Sequence, residues 1–308
     1  MPAVRTMTHE DIEEVINLDV LAFTDYWRQT GHKGGFPART PQNIRAALAL
    51  NPEGCFVAAD DRIAGYIFSR RWGEIGWIGT FGIHPDRRGR GLGQLLLETA
   101  VRHLRGAGCT TIGLETMPES PYNVGLYLRA GFRLIHPTVH TTRDLGPIPM
   151  DGEEYSLFSA VEKAPALAAA AALTRAVSPG LDYAVEVQNA GEFGWGETLL
   201  FGWPDPWALA VVRTVSKRGE TPEPQAEVNP LIVHPEKASR LENVLAAVEA
   251  FAYRRGFRQS ALSVNAVDAE ALRAVLDRGY RVANVRLRMI LGRDWEKPAG
   301  IDLSRWIM

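Results

Sequence analysis

Apolar positions along this chain recur with a period of two, then between three and four, then two again, so its elements can be read in order. Residues 4–7 read as a short strand. Thr8, with Asp11 three residues on, caps a helix whose apolar positions are Ile12, Val15, Ile16 and Leu21. A polar, glycine-bearing stretch follows at 24–40, and Thr40-Pro41 opens a second helix that runs through Leu50. Residues 55–60, 63–70 and 75–84 read as strands joined by tight turns at Asp60-Asp61 and Trp72-Gly73. Leu92, Leu95, Leu96, Ala100, Val101 and Leu104 line one face of an amphipathic helix that Gly106 and Gly108 end. A strand at 110–115, a helix at 121–129 stopped by Gly131, and a strand starting at 132–135 complete the first half.

The second half repeats this pattern. Phe81-Gly82-Ile83-His84-Pro85-Asp86 returns as Leu231-Ile232-Val233-His234-Pro235-Glu236, an offset of 150 residues. Leu128-Arg129-Ala130-Gly131-Phe132-Arg133 returns as Leu276-Asp277-Arg278-Gly279-Tyr280-Arg281, an offset of 148. Between the echoes lie a predicted helix at 241–255, a strand at 261–265 and a helix at 269–277. Two copies of one fold are expected, residues 1–158 and 159–308, with Trp195, Trp203 and Trp207 filling a core or an inter-domain face.

Composition narrows the classes. A length of 308 residues suits two ordinary domains, and a net charge of −2 with both signs interspersed argues against nucleic acid or an anionic membrane as partner. Cys55 and Cys109 lie in or beside apolar strands, as free thiols of a reducing compartment would. The opening residues read as strand and helix rather than a leader, and the Ala-rich run at 164–173 is too short to span a bilayer. A cytoplasmic location is expected.

The chemistry concentrates in Arg87-Arg88-Gly89-Arg90-Gly91-Leu92-Gly93-Gln94, between an apolar strand and the amphipathic helix. Free N–H groups and the helix dipole make such a place an anion site. Three guanidiniums there call for a negative partner, and a polyphosphate fits. The run is not G-x-G-x-x-G, because Gln94 stands at the last position, and no Lys-Ser or Lys-Thr makes it a P-loop. At an offset of 150, Gly89, Gly91 and Gly93 become Ser239, Leu241 and Asn243, and Arg88 becomes Ala238, so the second copy is expected to have lost the site.

Read as R-x-x-G-x-G over Arg88, Gly91 and Gly93, with the strand before it and the segments 92–105, 111–115 and 125–132, the sequence resembles the GCN5-related N-acetyltransferases (GNAT). The resemblance implies an α/β (α+β) chain with two acyl-CoA N-acyltransferase folds in tandem, each a mixed, mostly antiparallel sheet flanked by helices. It implies acetyl-CoA as cofactor and direct acetyl transfer to a primary amine of a small molecule or peptide, without a metal. Cofactor contacts are then expected from Phe81, Gly82, Ile83, Arg88, Gly89, Arg90, Gly91, Leu92, Gly93, Gln94 and Tyr127. The family's usual asparagine seven residues before the tyrosine is Ser120 here, with Asn123 one turn further along. By the same resemblance Tyr127 protonates the departing thiolate, Glu115 is the general base, and the acceptor pocket draws on Asp25, Tyr26, Trp27 and Phe36. Gly82 inside a strand further suggests a bulge or a close backbone approach. Partners expected are the amine acceptor, no nucleic acid and no membrane, with a homodimer left open. A CoA-sensing or partner-binding protein without turnover is the alternative.

Overall fold

Thr8 and Asp11 close the first helix as their spacing suggests: Asp11 Oδ2 accepts from the Thr8 N–H at 2.7 Å, and Arg5 clamps the same carboxylate at 2.7 Å. The computed structural model describes residues 2–29, 31, 33–147, 153–215 and 225–306. The first half runs β1 (Ala3–Thr6), α1 (Ile12–Gln29), α2 (Pro41–Leu50), β2 (Cys55–Ala59), β3 (Ile63–Trp72), β4 (Ile75–Ile83), α3 (Leu92–Gly106), β5 (Thr111–Thr116), α4 (Pro121–Arg129), β6 (Arg133–Leu134) and β7 (Thr138–Asp144). The second half runs β8 (Ser156–Leu157), α5 (Lys163–Val177), α6 (Ala184–Glu192), β9 (Gly196–Phe201), β10 (Ala208–Arg213), β11 (Gln225–Val233), α7 (Leu241–Arg254), β12 (Gln259–Asn265), α8 (Ala269–Asp277), β13 (Arg281–Gly292) and β14 (Ile301–Leu303).

The echo of sequence is an echo of structure. β4 and β11 stand 150 residues apart, and α4 and α8 stand 148 apart. His84 and His234 do the same work in both copies: each caps a 3-10 turn by accepting, through Nδ1, the N–H two residues on, at 3.3 Å. Both halves are mixed, mostly antiparallel sheets flanked by helices, and each has one parallel pair, β4 with β5 and β11 with β12.

The halves are not joined merely end to end. The strand order is β1-β2-β3-β4-β5-β13-β7-β12-β11-β10-β9-β8. β13, from the end of the chain, lies beside β5, whereas β7 lies beside β12. Each half has given its last long strand to the other, and β7 and β13 pair at the seam. A cut at 158/159 therefore separates β13 from β5 and β7 from β12.

Buried groups tie the seam. Glu186 of α6 accepts from Arg70 of β3 and Arg213 of β10, both at 2.6 Å, and from Trp72 Nε1 at 2.8 Å. Burial would raise the pKa of this carboxyl, but the two guanidiniums outweigh it and hold it at about 2. Trp306, fully buried, packs edge-on to Trp77 at 5.5 Å and donates through Nε1 to Tyr183. Of the tryptophans expected in a core, Trp195 is buried, while Trp203 and Trp207 are partly buried against the two main cores.

Candidate active site

Gly89 and Gly91 have φ of +73° and +78°, a region that side chains other than glycine's enter only with strain. A Cβ on either would meet nothing within 4 Å, so it is backbone conformation that selects glycine, and the space above the turn is open. Gly91 caps α3 without any side-chain bond. The first intrahelical bond is Leu95 N–H to Gly91 O at 3.1 Å, so the amides of Leu92, Gly93 and Gln94 face outward from the helix start. Gly93 differs from the other two: a Cβ there would lie at ordinary contact distance from Phe81, Ile83 and Leu126. Its place is where α3, β4 and α4 converge.

The arginines divide by role. Arg87 lies 3.5 Å from Asp60, and Arg88 donates to the carbonyl of Ala22 on α1 at 2.8 Å. Both make protein contacts, Arg87 with a carboxylate and exposed Arg88 with a neutral carbonyl. Arg90 stands exposed at the turn.

Beyond the turn, β4 and β5 separate. Their parallel pairing covers only Ile75–Trp77 against Thr111–Gly113, and the strands splay past that point. β4 also bulges against β3, with the register shifting between Ile67 and Ser69, opposite Gly79 and Thr80. The bulge expected at Gly82 is therefore displaced towards the middle of the strand. Gly82 is buried, and a Cβ there would press on Tyr66 at 2.9 Å and on Ala22 at 3.0 Å. Its smallness lets α1 lie on the sheet. Phe81 and Ile83 remain partly exposed along the splayed edge.

In the second half the matching edge is closed. Leu231, Ile232 and Val233, which correspond to Phe81, Gly82 and Ile83, pair with Leu303, Asp302 and Ile301 of β14. The chain's own last strand occupies the cleft that stays open in the first half.

α4 carries the tyrosine to this cleft. Ser120 caps the helix position without a side-chain bond, Pro121 follows, and Asn123 is partly exposed. Tyr127 is buried, its ring edge-on to Phe81 at 6.1 Å and to Phe132 at 6.0 Å. Burial pushes its phenol above the ordinary tyrosine value, so it stays protonated.

Glu115 on β5 is fixed across the seam. Its Oε1 accepts from Arg288 of β13 at 3.0 and 3.1 Å, from Thr138 of β7 at 2.6 Å and from the Trp306 N–H at 3.3 Å. Both side chains of the ion pair are 2% exposed or less, and Oε2 is buried without a hydrogen-bond partner.

The acceptor residues expected in a loop sit differently. α1 continues to Gln29, so Asp25, Tyr26 and Trp27 occupy its last turns. Asp25 is exposed. Tyr26 lies 3.4 Å from Glu119 and also bonds Arg286 of β13. Trp27 and Phe23 pack on Phe36, with centroids 5.5 and 5.2 Å apart. The segment after α1 is anchored to the β4 bulge by Arg39, which reaches buried Asp19 at 3.1 Å and Thr80 at 2.5 Å. Sequence reasoning missed Arg286, Arg288 and Arg305: strand exchange brings the first two towards Glu115 from 170 or more positions away, and Arg305 follows β14. No helix among the described residues is long and apolar enough to cross a membrane, and none of their His, Cys, Asp and Glu side chains group to hold a metal ion.

Residues 17–132 match the Acetyltransferase (GNAT) family. A mycothiol acetyltransferase of Propionibacterium freudenreichii subsp. shermanii is 27% identical over 138 residues, 42% of either chain. Glucosamine 6-phosphate N-acetyltransferase 1 of Oryza sativa subsp. japonica is 29% identical over 111 residues, 31% of this chain and 66% of its own. The chain spans less than half the length of the mycothiol acetyltransferases it matches first, 42% and 46%. Among solved structures, a putative acetyltransferase from Pyrococcus horikoshii superposes with a TM-score of 0.69 at 17% identity, over 99% of this chain and 94% of that one. A tandem GNAT protein from the clavulanic acid biosynthesis pathway superposes with a TM-score of 0.59 at 15% identity, over 98% and 99%. Those two likenesses are likenesses of fold.

Proposed function

We propose that this chain, a tandem GNAT protein with its family-matching domain at residues 17–132, transfers an acetyl group from acetyl-CoA to a primary amine at the cleft between β4 and β5. The observation that carries this reading is the pairing of outward amides at Leu92–Gln94 with a neighbouring splayed strand edge, an edge that β14 covers in the second half. The loop amides would hold the diphosphate, and the free edge at Phe81–Ile83 would bond the pantetheine arm and polarise the thioester. Ser120 and Asn123 border the same cleft from α4, and Arg90 adds positive charge at its mouth.

Glu115 takes the amine's proton through Oε2, its carboxylate oriented by Arg288 through Oε1. The amine nitrogen then bonds to the acyl carbon as the carbon–sulfur bond breaks. Tyr127 meets the developing thiolate. An ordinary thiol has a pKa of about 8.5, well below a buried phenol, so Tyr127 keeps its proton and stabilises the thiolate by donating a hydrogen bond. The second half, residues 159–308, acts as a support whose β13 completes the catalytic sheet.

The test is CoA release from acetyl-CoA across a panel of amines by the full chain. Release that depends on Tyr127 and Glu115 supports the assignment. Tight CoA binding with no release for any amine would instead favour a sensor.

A further inference from the structure

The first half's mechanism leaves unused a polar cluster lying beyond Glu115, where the exchanged strand and the C-terminal segment meet α1. Arg286 stands two residues before Arg288 on β13, on the same face of the strand, and bonds Tyr26. Arg305 follows β14, its backbone clamped both ways by Asn229, at 3.1 and 2.9 Å. The next residue, Trp306, donates to Glu115, so Arg305 is held beside the proposed proton acceptor.

The Nε of Arg286 and the Nε of Arg305 are both buried without a hydrogen-bond partner. Their like charges act on each other: burial first, then Arg305, lowers the pKa of Arg286 from the ordinary arginine value. His140 of β7 faces both. Burial, Arg305 and Arg286 hold it down to about 4, with Glu227 opposing, so it is neutral near pH 7 and adds no further positive charge. The carboxylates here are Glu115, committed to Arg288, Glu119, bonded to Tyr26, and Glu227 on β11. None of them meets the two Nε–H groups. A buried donor left without an acceptor is costly, more so when it is charged, and two on adjacent cations ask for a single anion.

We propose that the acceptor is an amine that also carries an anionic group, a carboxylate or a phosphate, and that Arg286 and Arg305 bind that group. The inference rests on reading the first half as an acetyltransferase, and it assigns acceptor recognition to residues of the second. Arg286 and Arg305 fix the anion while Glu115 Oε2, next along the same face, meets the amine.

Two matched pairs of amines test it on the full chain: an L-amino acid against its amide, and glucosamine 6-phosphate against glucosamine. One anionic member is expected to exceed its neutral twin in kcat/KM by about ten- to a hundredfold, chiefly through KM. Which pair responds distinguishes carboxylate from phosphate. The preference should collapse in R286Q and in R305Q and return in part with R286K. Equal use of both members in both pairs overturns the proposal, as does a preference that survives both glutamine substitutions. Should no amine release CoA, inorganic phosphate and succinate are titrated into the CoA-bound protein. Binding that both substitutions abolish then supports the anion site although the acetyltransferase reading fails, and absence of binding by either anion overturns it.

Discussion

Replacing Glu115 with glutamine separates two things this residue does at once. Its Oε1 accepts from Arg288, Thr138 and the Trp306 amide, and the Arg288 side chain is 1% exposed. Glu115→Gln removes the carboxylate that pairs with that guanidinium and leaves a buried cation with Ser304 O, Thr138 Oγ1 and the face of Trp306 at 4.2 Å. Breaking one side of a buried pair costs about 3–5 kcal/mol, which for a chain of this size lowers Tm by about 5–10 °C. Loss of activity in the single variant would therefore mix instability with chemistry. The double variant Glu115→Gln/Arg288→Met removes both charges, and a methionine sulfur keeps contact with Trp306. Scanning calorimetry on both proteins, with CoA release measured well below either transition, resolves the two effects. The double variant should regain most of the lost Tm and remain about 10²–10⁴-fold below wild type in kcat, the usual contribution of a positioned base. A stable single variant refutes the ion-pair arithmetic, and a double variant within a few-fold of wild-type turnover refutes the proton-acceptor role.

The phenol of Tyr127 has its pKa raised by burial, so kcat should not fall as pH passes the ordinary tyrosine value of about 10, and Tyr127→Phe should lower kcat about ten- to a hundredfold with little change in CoA affinity; an alkaline limb at or below that value contradicts the assignment. Glu186, held at about 2 by Arg70 and Arg213 against the cost of burial, contributes about 3 kcal/mol that is present above the unfolded carboxyl range and lost as pH falls towards 2, so Glu186→Gln should flatten the acid limb of a Tm-versus-pH curve. Asp302 shifts the other way: burial raises it to about 6, its proton is retained by the folded state, and its charge weakens the fold above that pH. Asp302→Asn should accordingly raise Tm more at pH 7.5 than at pH 5, as read by calorimetry at both.

What could be read from sequence was local. The glycine turn announces itself because two left-handed φ values and a bare helix start leave no other residue type comfortable, and α4 is framed by Pro121 and Gly131. The internal repeat was legible because His84 and His234 each make the same cap. The strand exchange was not. β7 reads Thr-Val-His-Thr-Thr-Arg-Asp and β13 has an apolar run only at Met289–Leu291, after Arg281, Arg286 and Arg288, so nothing local says which sheet receives either strand. The same exchange hid part of the site, since Arg286 and Arg288 reach the cleft only through it, while Arg305 arrives after β14. Gly82 was legible only as one of two alternatives, a bulge or a close approach, and it is the approach of Tyr66 and of Ala22 on α1 that the structure shows. The end of α1 was set short because its last turns lose the apolar period, yet Tyr26 is held there by Glu119, distant in sequence, and Trp27 by Phe36 of the segment that follows.

The most direct measurement is a calorimetric titration of CoA into the full chain and into Gly91→Val. One equivalent per chain is expected for the wild type, with affinity falling by tenfold or more (about 1.4 kcal/mol) once a branched side chain stands over the amides of α3 at a backbone φ of +78°. Two equivalents per chain, or an affinity the valine leaves untouched, would contradict the assignment of this turn as the cofactor's anchor.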